Sequence, residues 1–291
     1  MPTRPTIALI LLGWVLAATG LFQRDILPDF QITPPPDLRS IALAGEDASQ
    51  ANWDLSVADD AGLRSLRTVG RASTWTERHP DGATNLRSKV SFDSNGLLRG
   101  TPFAAKLDTG RGEGHLEVAN NCEIDPSGNL RQFKVLVQAA GEKSPLMIIE
   151  AHVVGHAIEV SARGPIPLLN WTRSIPYEPR GLIQNGIGPT DRLPGLQIGQ
   201  RWETDVVSPM TGRVEKVLTE VTGKHSLQWG NRGLVPTLEV VQHLSPISAR
   251  CWVDRSGLVL RQEIPFPFVR LILERVPNHS GDRGELGVKT P

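Results

Sequence analysis

The stretch His115–Gln138, HLEVANNCEIDPSGNLRQFKVLVQ, decides the reading of the fold. In its second half Phe133, Val135 and Val137 fall on one side of an extended chain, while Gln132, Lys134 and Gln138 fall on the other. That period of two places successive side chains on opposite faces of a sheet. Asp125-Pro126-Ser127-Gly128-Asn129 interrupts it with residues that turn a chain, proline by presetting φ and glycine by accepting positive φ. The stretch therefore predicts an antiparallel hairpin with one apolar face and one wet face.

The same pattern extends in both directions. Leu66–Arg78 and Asn85–Asp93 flank a second turn, His79-Pro80-Asp81-Gly82-Ala83-Thr84, and Leu146–His152 and His156–Ala162 form a third pair around Val154-Gly155. Arg213–Thr222, Leu234–Leu244, Ser248–Asp254 and Leu258–Ile264 continue the series, the last two joined by Arg255-Ser256-Gly257. Turns recur at short intervals with no strong amphipathic helix between them, which favours antiparallel pairing over an α/β fold. Short helical turns are expected at Pro35–Ser40 and Phe268–Glu274, and Ile183–Leu196 is too rich in Gly and Pro for a long helix. No internal repeat is clear enough to divide the chain into duplicated halves.

Near the amino end stands a different signal, the unbroken apolar run Ile7–Phe22, preceded by Arg4 and followed by Arg24 and Asp25. A bilayer core asks for about 20 apolar residues, so this run spans if Thr6 and Gln23 lie at the interface. Ala17-Ala18-Thr19-Gly20 leaves open the alternative of a cleaved secretory signal, although the run outlasts the usual apolar core of such a signal. The expected topology has residues 1–6 in the cytoplasm, 7–22 as a transmembrane anchor and the bulk of the chain outside the cytoplasm; secretion after cleavage is the alternative. Residues 23–55 contain Pro28, Pro34, Pro35 and Pro36 and read as an extended tether. The expected architecture is thus mainly β: a transmembrane helix, then a large curved antiparallel sheet or half-barrel over 56–277, then a tail at 278–291.

Composition narrows the function classes. Lys and Arg together equal Asp and Glu, so the formal net charge is zero and nothing global draws in nucleic acid. Cys122 and Cys251 lie far apart and outside any Cys-x-x-Cys spacing, which leaves either one disulfide or two buried thiols. His152 and His156 flank a tight turn and would face one another, yet no third ligand at metal spacing is evident. No cofactor is expected. Gly110–Gly114 and Gly186–Gly188 read as turns rather than phosphate loops, because neither joins a buried parallel strand to a helix.

Residues 171–202 form the best binding candidate. Trp171, Tyr177, Arg180 and Trp202, with Arg173 and Arg192, sit among stiffening prolines, which can present aromatic and guanidinium contacts to a partner. The competing reading makes the tryptophans core residues of strands and the arginines solvated.

Leu196-x-x-Gly199-x-x-Trp202, Val214–Val221, Val235-Pro236 and ARCWVDRSGLVLR (Ala249–Arg261) together resemble β-rich extracytoplasmic proteins of bacteria. The pattern is similar to uncharacterised domains that share a curved antiparallel sheet with the lipoprotein-carrier (LolA/LolB-like) half-barrels, and to the region preceding transglutaminase-like domains. The resemblance implies an envelope location. The chain ends soon after this region, so a transglutaminase-like domain is not expected in it, and no cysteine follows the apolar run to carry a lipoprotein anchor. Two functions are expected: a membrane-anchored, non-catalytic module that binds a lipid, a peptide or an envelope protein, or an accessory subunit of an integral membrane complex. A hydrolase with an unrecognised site stands third.

Overall fold

The computed structural model describes residues 36, 50–58, 66–98, 114–142, 144–165, 167, 170–177, 183–185, 189–207, 214–244, 247–266 and 269–277. The expected anchor at 7–22, the turn at Pro35–Ser40 apart from Pro36, and the tail at 278–291 lie outside them. Among the described residues no helix is long and apolar enough to cross a membrane.

Among the described residues fifteen strands make one sheet. The first eight are β1 (Gln50–Ala58), β2 (Leu66–Arg78), β3 (Thr84–Asp93), β4 (His115–Ile124), β5 (Leu130–Ala139), β6 (Met147–Val154), β7 (Ala157–Arg163) and β8 (Trp171–Pro176). The rest are β9 (Ile183–Asn185), β10 (Arg201–Val207), β11 (Val214–Gln228), β12 (Leu234–Leu244), β13 (Ile247–Asp254), β14 (Val259–Phe266) and β15 (Val269–Arg275). A five-residue helix, α1 (Ser94–Leu98), follows β3, and a 3-10 turn at Gly230–Arg232 joins β11 to β12. The spatial order runs from β8 down to β1, then β15 down to β9, and the sheet is not closed. Each neighbouring pair is antiparallel except β9 with β10.

The hairpins marked by Pro-Asp-Gly and Asp-Pro-Ser-Gly fall where alternation places them. Three expectations need correction. The sheet begins at Gln50, inside the range expected for the tether, because Trp53, Leu55 and Val57 alternate into the core and β1 pairs with both β2 and β15. Residues 269–275 form strand β15 rather than a helical turn, since pairing Trp53 with Arg275 and Val57 with Leu271 overrides weak local preference. β11 extends to Gln228, beyond the expected end at Thr222, through an irregularity between Val221 and Gly223.

One face of the sheet carries the main core, shared by both halves: Trp53 and Leu55 of β1, Ile158 and Val160 of β7, Trp202 of β10, and Val221, Val240 and Val253 of β11 to β13 all pack in one cluster. A satellite cluster of Leu227, Trp229, Trp252 and Leu260 covers the opposite face at the end of β11 and β12. Elsewhere that face is wet and carries cross-strand ion pairs such as Lys89 with Glu117 and Lys134 with Glu150. Pairs this exposed contribute at most about 1 kcal/mol each.

One hairpin design is used twice. Cys122-Glu123-Ile124-Asp125-Pro126-Ser127-Gly128 and Cys251-Trp252-Val253-Asp254-Arg255-Ser256-Gly257 share Cys-x-x-Asp-x-Ser-Gly. Their registers correspond: Cys122 faces Phe133 and Ile124 faces Leu130, while Cys251 faces Gln262 and Val253 faces Val259, with the register shift at the same step. In each turn one aspartate oxygen accepts the amide two residues on and the amide four residues on, Ser127 and Asn129 for Asp125, Ser256 and Leu258 for Asp254. Gly128 and Gly257 adopt the required positive φ, 88° and 84°.

Candidate functional site

The aromatic residues of the segment from Trp171 to Trp202 face inward. Trp202, 2% exposed, and Tyr177, 6% exposed, lie in the main core, and half-buried Trp171 packs against it. Arg180 lies outside the described residues, and Arg173 is exposed on β8. The expectation that Trp171, Tyr177 and Trp202 present a binding surface is therefore corrected: a strand puts alternate side chains inside, and these large apolar rings gain most by being there.

Residues 189–200 instead form a strap against the core face of the sheet. Leu193 sits in the core, its amide donates to the Gly257 carbonyl at 2.8 Å, and Arg192 bridges Leu258. Thr190 N–H donates to Gln262 Oε1 at 3.2 Å. The strap is pinned by Asp191, whose Oδ1 accepts from Arg275 Nη1 at 2.6 Å and from Thr74 Oγ1 at 3.3 Å. Trp53 Nε1 donates to the same Thr74 hydroxyl at 3.2 Å, and the Arg275 guanidinium lies 5.4 Å from the Trp53 ring centroid. A charge-assisted pair, a hydroxyl and a cation–π contact thus join β1, β2, β15 and the strap.

Between the strap and two hairpins lies a cleft of about 260 Å³. Leu193, Gly195 and Leu196 come from the strap, Lys224 from β11, Pro236, Thr237 and Leu238 from β12, and Asp254, Arg255 and Gly257 from the β13–β14 turn. Its walls are mostly aliphatic. Lys224 pairs in register with Leu238 and so shares that face. Gly257 brings the turn against the strap: a side-chain carbon there would stand 2.8 Å from Pro194 Cα. Asp254 Oδ1 is engaged by its own turn, accepting from the Ser256 amide and hydroxyl and the Leu258 amide. Lys224 and Arg255 have no ion-pair partner among the described residues. Local sequence offered no signal for this cleft beyond the segment holding Leu193 and Leu196, because its cations come from hairpins distant in the chain.

Among the described residues the cysteines and histidines marked in the sequence do not form a metal-binding cluster. Cys122 and Cys251 are free thiols rather than a disulfide, on strands with five others between them. Burial, with Glu123 beside one and Glu239 beside the other, pushes both up to about 12, so neither ionises near neutral pH. His115 and Cys122 point to opposite faces of β4, as alternation requires. His152 stands opposite Glu159 across the β6–β7 pair, whereas His156 lies in the turn beyond. Among the described residues no group of three or more His, Cys, Asp or Glu side chains could hold a metal ion. The Lys134 ammonium, bonded to Glu150, holds that carboxyl below its usual range. Burial raises Glu274, with Arg261 opposing it.

No protein-family model and no curated protein matches the chain. Among solved structures it is similar to a beta-barrel-like protein of the domain of unknown function DUF1849 from Brucella abortus. That similarity covers 79% of this chain and 96% of that one at 11% identity and a TM-score of 0.48. It is also similar to a DUF1089 family protein from Pseudomonas aeruginosa, over 71% of this chain and 93% of that one, at 15% identity and a TM-score of 0.36. Neither similarity links the chain to lipoprotein carriers or transglutaminases.

Proposed function

We propose that this chain is a membrane-anchored, extracytoplasmic β-sheet module that binds a ligand and catalyses no reaction. The observation that carries the reading is the aliphatic cleft beside the strap, with Lys224 and Arg255 at its lining. Concave apolar sites with a few placed polar groups are the usual form of small-ligand sites. The apolar run Ile7–Phe22 supports the membrane tether, and the resemblance of 196–261 to half-barrel domains supports an envelope location.

Native mass spectrometry of the full-length protein, extracted in mild detergent, tests this reading. A retained small-molecule increment that survives removal of residues 1–49 is the expected result. A protein partner lost together with residues 1–49 would instead make the chain an accessory subunit of a membrane complex.

A further inference from the structure

We propose that the cleft takes an amphipathic anion, a carboxylate or phosphate head held by Lys224 and Arg255 with a short alkyl chain lying along Leu193, Leu196 and Leu238. The inference rests on the binding-module reading and names the ligand class of the same site. Three features of the lining carry it.

The first is charge. Two cations and one carboxylate line the cleft. The carboxylate, Asp254, directs Oδ1 to three donors of its own turn, while both cations lack an ion-pair partner among the described residues. The second is the apolar wall: strap and β12 supply leucines and Pro236, which a hydrophilic anion alone would leave wet. Exposed Ile198 lies two residues beyond Leu196, and Leu234, 71% exposed, lies two residues before Pro236 on the same face of β12. Both are exposed apolar side chains close in sequence to residues of the cleft lining. The third is size. At about 260 Å³ the cleft is smaller than the roughly 300–1,000 Å³ of sites that engulf drug-sized ligands, so it holds a head and the first methylenes of a chain rather than a whole diacyl lipid.

Isothermal titration of the full chain with decyl phosphate and decanoate tests the proposal, with decyltrimethylammonium, inorganic phosphate and acetate as comparisons. The expected result is saturable one-to-one binding of the two alkyl anions. The alkyl cation and the short anions should bind at least tenfold more weakly. Lys224→Ala/Arg255→Ala should weaken decyl phosphate at least tenfold with an unchanged melting temperature. Leu238→Gln should weaken the alkyl anions and leave inorganic phosphate unchanged; Leu196→Gln, on the strap, repeats that arm if the β12 variant folds poorly. Equal affinity for the alkyl cation, or an unaffected double variant, would overturn the charge assignment. Inorganic phosphate binding as tightly as decyl phosphate would overturn the amphipathic part and leave a free-anion site. Any of these with a retained increment in native mass spectrometry would leave the module reading standing; bare protein there, with no amphiphile bound, would remove both.

Discussion

The Tyr177 hydroxyl accepts the Leu130 amide at 2.9 Å, although the two residues are 47 positions apart. The register shift after Glu123 turns that amide away from β4, so the ladder does not use it. Val259 holds the corresponding place in the second hairpin, and its amide donates at 3.1 Å to the Asp191 carbonyl. Both hairpins are thus completed by acceptors, Tyr177 and Asp191, from the chain between β8 and β10. A buried donor left without a partner costs about 1–3 kcal/mol.

Tyr177→Phe keeps the ring in the core and removes the acceptor. We expect urea denaturation to show a loss of about 1–3 kcal/mol with an unchanged m-value. An unchanged midpoint would mean that the hydroxyl does not serve Leu130.

Asp191 and Arg275 are 10–20% exposed at their side chains, so removing one strands the other in poor solvent. Asp191→Ala should cost about 3 kcal/mol, the lower end for breaking a buried pair. Asp191→Ala/Arg275→Met should cost less than the single aspartate change, because no unpaired guanidinium remains over Trp53. A double-mutant cycle in urea measures the coupling; additive losses would contradict the pairing.

Gly257 and Gly155 both have positive φ, at 84° and 62°, but only at Gly257 does an added carbon meet other backbone, Pro194 Cα at 2.8 Å. Gly155→Ala should therefore lower stability by about 1 kcal/mol from backbone strain alone, whereas Gly257→Ala should lose more, since the strap must also shift. Thermal melts of the two variants give the comparison; equal losses would show that the strap does not press on the turn.

Burial raises the Asp125 pKa, but hydrogen bonds from the Asn129 amide and side chain and the Ser127 amide outweigh it and leave the carboxyl below its usual value. A group whose folded pKa is depressed stabilises fully above its unfolded pKa and loses that contribution as pH falls through the folded value. Wild-type stability should therefore decline as pH drops below about 4, and Asp125→Asn should be less stable at neutral pH and flatter in that acid range. Urea titrations from pH 7 down to the acid limit of folding test the slope; parallel curves would contradict it.

Much of the sheet was legible because its turns announce themselves. Pro80-Asp81-Gly82 and Asp125-Pro126-Ser127-Gly128 carry their own local chemistry, and alternation around them sets which face is inside. β1, β9 and β15 were not legible as strands; β1 and β15 exist by pairing with each other at the middle of the sheet, although they lie far apart in the chain. Trp171, Tyr177 and Trp202 stand out in the sequence, yet an aromatic ring among prolines fits a core as well as an exposed site, and packing in the main core decides between them. The cleft was legible in part: Leu193 and Leu196 fall within the segment marked for binding, while Lys224 and Arg255 reach it through two hairpins set side by side by the β12–β13 pairing. The repeated Cys-x-x-Asp-x-Ser-Gly hairpin is visible in the residues once the shared register identifies which positions correspond.

Ligand is expected to enter between the strap and the β11–β12 and β13–β14 hairpins. Hydrogen–deuterium exchange of the full chain, with and without saturating decyl phosphate, locates the entry. Slowed exchange confined to residues 193–196, 224–238 and 254–257 is the expected result. Protection centred instead on 171–177 and 201–207, or none despite measured binding, would contradict it.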